Sequence, residues 1–189
     1  MNRLVIVPDA ALEAAGLALK SRLAAIAGEI DATNIQPFMG PHALRCLTWA
    51  AEKNADSEIL LWAREKNGYA VAWASGTPRE DVEGRGRADE MEGMIARVFE
   101  SHHSESERAH DLQAADWTNL ERLRGATIDA MAASPVILFE SCVAVLSRVR
   151  YRAKTENETT AAAPAESASL LARLIEDRLI RATLGMESS

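Results

Sequence analysis

The chain holds 189 residues, 48% of them hydrophobic and 26% charged, which suits one packed domain over 1–189 and excludes an intrinsically disordered tail. A formal net charge of −7, from 21 Lys and Arg against 28 Asp and Glu, argues against a nucleic-acid partner, because phosphate binding draws on a basic excess. No run approaches the roughly 20 apolar residues of a spanning helix, so no membrane segment is expected.

Met1 to Val7 carries one Arg and a short apolar run, too little for a secretory leader. Residues 9–32 read as an N-terminal helix. Leu12, Leu19 and Ile26 recur every seven residues, with Gly16, Leu23 and Ile30 beside them. That stripe can pack on its own domain or form a helical dimer seam, and spacing alone does not choose. Pro37, Gly40 and Pro41 break the helix, and a second runs from Pro41 to Asn54 with Ala43, Leu44, Leu47 and Ala50 on one face. Glu58–Arg64 and Tyr69–Ser75 read as a hairpin around Asn67-Gly68. Period-two counting sets Tyr69, Val71 and Trp73 on one face and Ala70, Ala72 and Ala74 on the other.

A glycine-rich charged loop follows, Gly76 to Arg87, then a helix from Asp89 to His102 opened by a capping-box pattern of Asp89 and Glu92. Ser101 to His110 is polar and expected to be exposed. A short helix is expected from Thr118 to Arg124. Three strands then follow at Thr127–Ala133, Val136–Phe139 and Cys142–Arg150, the last two joined at Glu140-Ser141. Residues 153–169, rich in Thr, Ala and Glu, read as a mobile loop. A C-terminal helix at 170–185 closes the chain. Helices and strands do not alternate as βαβ units, so the expected class is α+β, a mainly antiparallel sheet flanked by helices.

Leu60 to Trp62, Ala72-Trp73-Ala74-Ser75-Gly76, Gly86 to Val98, and Ser134-Pro135-Val136 through Cys142 to Ser147 together resemble a GAF domain. The resemblance spans about Pro41 to Tyr151 and implies a GAF/profilin-like core at 37–152, with terminal helices lying together behind the sheet. It carries four departures, the first being Glu140-Ser141 at the hairpin turn where the family commonly has Gly. The motif Asn-Lys-Phe-Asp-Glu of the members that bind cyclic nucleotides is absent. Neither cysteine is followed by the histidine of the bilin-binding members, since Leu47 follows Cys46 and Val143 follows Cys142. Neither lies in the pocket loops, where the members that reduce free methionine sulfoxide keep theirs.

The cysteines lack Cys-x-x-Cys and zinc-knuckle spacing. They are expected to be reduced thiols of a cytoplasmic protein. His102, His103 and His110, with Glu105, Glu107 and Asp111, are the densest set of potential metal ligands. They match no His-Glu-x-x-His pattern, and a solvated loop is the simpler reading. Arg85 and Arg87, beside Gly84 and Gly86, are candidates to hold a carboxylate or phosphate, against a salt-bridged surface loop. Trp62, Trp73 and Trp117 are candidate ligand contacts, against plain core packing; the resemblance places them near the pocket. No Gly-x-Ser-x-Gly elbow or sequence-adjacent Ser/His or Cys/His pair marks a nucleophile.

The expectation is therefore a regulatory domain without chemistry of its own and without a cofactor. It takes a small polar ligand or a protein partner and forms a homodimer through its terminal helices. The alternatives are a metal-assisted hydrolase using His102, His103 and His110, and a structural protein whose pocket is filled with side chains.

Overall fold

The computed structural model describes residues 9–53, 57–75, 87–88, 93–108, 128–151 and 164–186. Among the described residues ten elements follow in chain order: α1 (Asp9–Glu29), α2 (Ile35–Glu52), β1 (Ser57–Glu65), β2 (Gly68–Ala74), β3 (Arg87–Ala88), α3 (Gly93–Ser101), β4 (Glu105–Arg108), β5 (Ile128–Leu138), β6 (Ser141–Tyr151) and α4 (Pro164–Thr183). The strands form one antiparallel sheet in the order β3-β2-β1-β6-β5-β4.

The central strands are covered on both faces, which is why β1 reads as a continuous run, Ile59-Leu60-Leu61-Trp62-Ala63, rather than an alternating one. Ile59, Leu61 and Ala63 join Ala132, Leu146 and Val136 beneath α2 and α4. Leu60 and Trp62 join Val145, Met131 and Ala133 beneath α3, whose Met94, Ile95, Val98 and Phe99 are buried. The helices α2 and α4 lie side by side on the first face, and α1 reaches it only through its last turns.

Four expectations need correction. The break before α2 is a kink inside it: Gly40 takes φ 71 and ψ 170, which excludes other residues, and Pro41 then starts the longer segment where its missing N–H costs nothing. The late strands number two, because β5 runs unbroken through Ser134-Pro135. Proline is tolerated there because β4 pairs only with Ala130 to Ala133, leaving the outer side of Pro135 without a ladder partner. The turn between β5 and β6 falls on Phe139-Glu140, one residue early, with both at positive φ. The C-terminal helix begins at Pro164, so residues 164–169 are helical rather than part of a loop; 152–163 lie outside the described residues.

The polar segment after α3 also gains structure. Glu105–Arg108 forms the short edge strand β4, and Arg97 of α3 grips it through Glu105 at 2.9 Å and Glu107 at 3.3 Å. A brief, charged edge of this kind discourages pairing with another sheet.

Candidate functional site

Trp62 lies at the centre of the α3 face and is fully buried. Its indole N–H donates to the Ser147 hydroxyl at 3.0 Å, and Ser147 is itself fully buried, so each polar group satisfies the other. Beside it Tyr69 stacks on Phe99 with centroids 4.0 Å apart, and the Arg64 guanidinium sits 5.6 Å from the Phe99 ring centre. Trp62 is thus a fully buried core residue with an internal hydrogen-bond partner.

Trp73 is on the other side of the sheet. A bulge between Leu61 and Trp62 of β1 pairs Leu61 with Trp73 but Trp62 with Val71, so Ala72 is the extra residue and the side-chain alternation of β2 reverses there. Tyr69 and Val71 face α3, whereas Trp73 packs half-buried against the α2 and α4 core. The three-residue face of Tyr69, Val71 and Trp73 therefore does not exist. Trp62 and Trp73 cannot line one pocket.

Arg87 forms part of β3, paired with Ala70. Arg85, Trp117 and His110 lie outside the described residues, as do the expected short helix and most of the glycine-rich loop. Among the described residues no three His, Cys, Asp or Glu are placed to hold a metal ion. His102 has a structural role, since at φ 57 it is the left-handed residue that ends α3, its N–H donating to the Val98 carbonyl at 3.0 Å. The adjacent His103 ring turns back on the Ser101 carbonyl.

The two thiols are far from equivalent. Cys46 is exposed on α2. Cys142 is buried beneath α3 on the opposite face of the sheet, where burial pushes its thiol from 9.0 up to about 12. A protonated thiol is neither a nucleophile nor a metal ligand at physiological pH.

What stands open is the outside of the helix layer. In α1 the first fourteen residues are all exposed, with Leu12, Leu17 and Leu19 each more than half so. On α2, Trp49 is 62% exposed over a groove lined by Pro41, Leu44, Arg45, Thr48 and Glu52. On α4, Leu170 is 68% exposed above Glu166, Ser169 and Arg173. Sequence reasoning misses Trp49, although its place outside the stripe of Ala43, Leu47 and Ala50 is a signal for it.

The sequence matches no protein-family model and no curated protein. Solved structures do resemble it. The free methionine-R-sulfoxide reductase of Neisseria meningitidis, in complex with its substrate, aligns over 99% of each chain at 11% identity and a TM-score of 0.58. Residues 122 to 287 of a methyl-accepting chemotaxis protein align over 83% of this chain and 99% of that one, at 14% identity and 0.57. The GAF domain of a phosphoenolpyruvate-protein phosphotransferase from Coxiella burnetii aligns over 82% and 99%, at 16% identity and 0.54. At such identities the likeness is one of fold: this chain has the GAF-like α+β architecture. No helix among the described residues is long and apolar enough to cross a membrane.

Proposed function

We propose that this chain is a GAF-like regulatory domain that performs no chemistry and acts through protein contact, first of all with a second copy of itself through α1. The observation that carries the reading is the stripe along α1. Its C-terminal part is covered by the chain's own core, with Ile30 and Ala27 buried and Ile26 and Leu23 half-buried. Its N-terminal continuation, Leu12, Gly16 and Leu19, has no cover, and a methyl group added at Gly16 would meet nothing within 4 Å. A helix of 21 residues, about 31 Å long, is marginal in water without a packed face. Heptad spacing is what a matching helix would need.

Signal relay is carried over from the chemotaxis and phosphotransferase neighbours. A reductase role is not, because Cys142 is sealed and protonated and Cys46 lies across the sheet from it. A cytoplasmic location fits two free, separated thiols. A small polar ligand is a second input in this reading, with Arg85, Arg87 and Trp117 as its candidate residues.

Sedimentation of the intact chain over a range of concentrations tests the proposal. The expected result is a reversible dimer that Leu19→Lys converts to monomer, since the lysine would set a charge into an apolar seam. A wild-type chain that stays monomeric at every concentration overturns the contact.

A further inference from the structure

We propose that the same dimer is completed by α2 lying antiparallel on its copy, with the two-fold axis passing beside Thr48 and Trp49. This rests on the dimer reading above and adds an interface, a register and a symmetry to it. Three observations on α2 converge. Trp49 is the largest exposed apolar side chain among the described residues, and it sits over the groove formed with Pro41 and Leu44. Arg45 and Glu52 flank it on the same side, seven residues apart, which is two turns of helix. Among the described residues neither Arg45 nor Glu52 has an oppositely charged partner, and both are exposed.

Such a face complements itself. A two-fold contact brings the same patch to both subunits, so residue order is reversed across it. Reversing Arg45, Thr48, Trp49, Glu52 about its centre sets Arg45 against the partner's Glu52, Glu52 against the partner's Arg45, and the two Trp49 rings across the axis. The aromatic anchor is then central and the charges form the rim, the usual division of labour at an interface. A parallel pairing would oppose like charges and is disfavoured.

The face of α4 offers the rival arrangement. Glu166, Leu170 and Arg173 repeat the same spacing with the signs reversed, so α2 could instead meet the partner's α4. Charge reversal separates the two. In the α2 pairing, Arg45→Glu and Glu52→Arg should each raise the dimer dissociation constant by about tenfold or more, because each creates two like-charge contacts. The double variant restores both attractions and should return within about threefold of wild type. An equimolar mixture of the two single variants should form heterodimers in preference to either homodimer.

If α2 met α4, the double variant would be weaker than either single and Arg173→Glu would weaken the dimer as a single α2 reversal does, and either result overturns the proposal. A dimer indifferent to all these reversals but broken by Leu19→Lys keeps the α1 contact and overturns the α2 pairing alone. A wild-type monomer overturns both. All four substituted positions are solvent-exposed, so circular dichroism of each variant should match wild type.

Discussion

The thiol of Cys142 shows how one side chain's surroundings fix what it can do. It is 3% exposed, and its Sγ–H donates to the Ala144 carbonyl at 3.3 Å inside the same strand. Desolvation penalises the thiolate, raising the titration to about 12 from an ordinary 9.0, and the nearby Arg64 charge only partly opposes it. A group whose folded value is raised stabilises the native state fully below its unfolded value, and loses that contribution as pH climbs toward the folded one. Wild type should therefore lose stability between pH 9 and about 12 with an added slope of at most about 1.4 kcal/mol per pH unit relative to Cys142→Ala, the lysines and tyrosines being common to both. Chemical denaturation at pH 8 and 10.5 measures the difference. Equal slopes in the two proteins would show that the thiol ionises freely in the folded state and would reopen thiol chemistry.

At the scale of the element, the tight turn between β5 and β6 is built against the preference of its residues. Phe139 at φ 49 and Glu140 at φ 70 occupy the two left-handed positions that Asn-Gly fills elsewhere in hairpins. Phe139 recovers part of the cost by packing on the core beneath α2 and α4. Glu140 has only a hydrated ion pair with Lys20 at 2.9 Å, the two side chains being 76% and 64% exposed, and such pairs contribute little. Glu140→Gly should therefore stabilise the fold by about 1 kcal/mol, the strain relieved outweighing the ion pair lost. A lower unfolding midpoint in denaturant would mean the Lys20 contact anchors α1 more firmly than its exposure implies. The two hairpins also mark where sequence is legible. Asn67-Gly68 marks its hairpin, although the two-residue turn itself falls on Lys66-Asn67 and Gly68, at φ 139, already pairs with Glu65; Phe139-Glu140 misplaces the next one by a residue because chemistry and geometry conflict. Period-two counting puts Trp73 on the wrong face because a bulge has no sequence signature here. The strand β4 is unreadable since Glu-Ser-Glu-Arg has no apolar alternation; it is held by Arg97. The partner of Trp62 is Ser147, 85 residues away, and no local pattern connects them.

At the scale of the whole molecule, the two faces of the sheet are finished differently. On the α3 face the buried Trp62 and Ser147 satisfy each other internally. On the other face the helices bury one side only: Ala168, Ala172, Ile175 and Leu179 of α4 point to the sheet, while Leu170 points away. The arrangement of the core is readable from the order of its elements; the open helix layer is readable only as a choice between internal packing and a dimer seam, since periodicity marks an apolar stripe without saying what covers it. The structure divides the α1 stripe, covering Ile26 to Ile30 and leaving Leu12 and Leu19 bare. If a second copy covers the bare part, folding and association are linked, and stability must rise with concentration. Raising the chain to about a hundred times its dimer dissociation constant leaves free monomer at only about seven times that constant and should add about 1.6 kcal/mol per chain, which for a domain of this size moves the unfolding temperature by about 3–6 °C. Leu19→Lys should unfold at one temperature across the same series, close to that of dilute wild type, because Leu19 is more than half exposed in the single chain. Scanning calorimetry of both proteins decides it. A wild-type unfolding temperature that does not move with concentration would leave the leucines of α1 without the partner proposed for them.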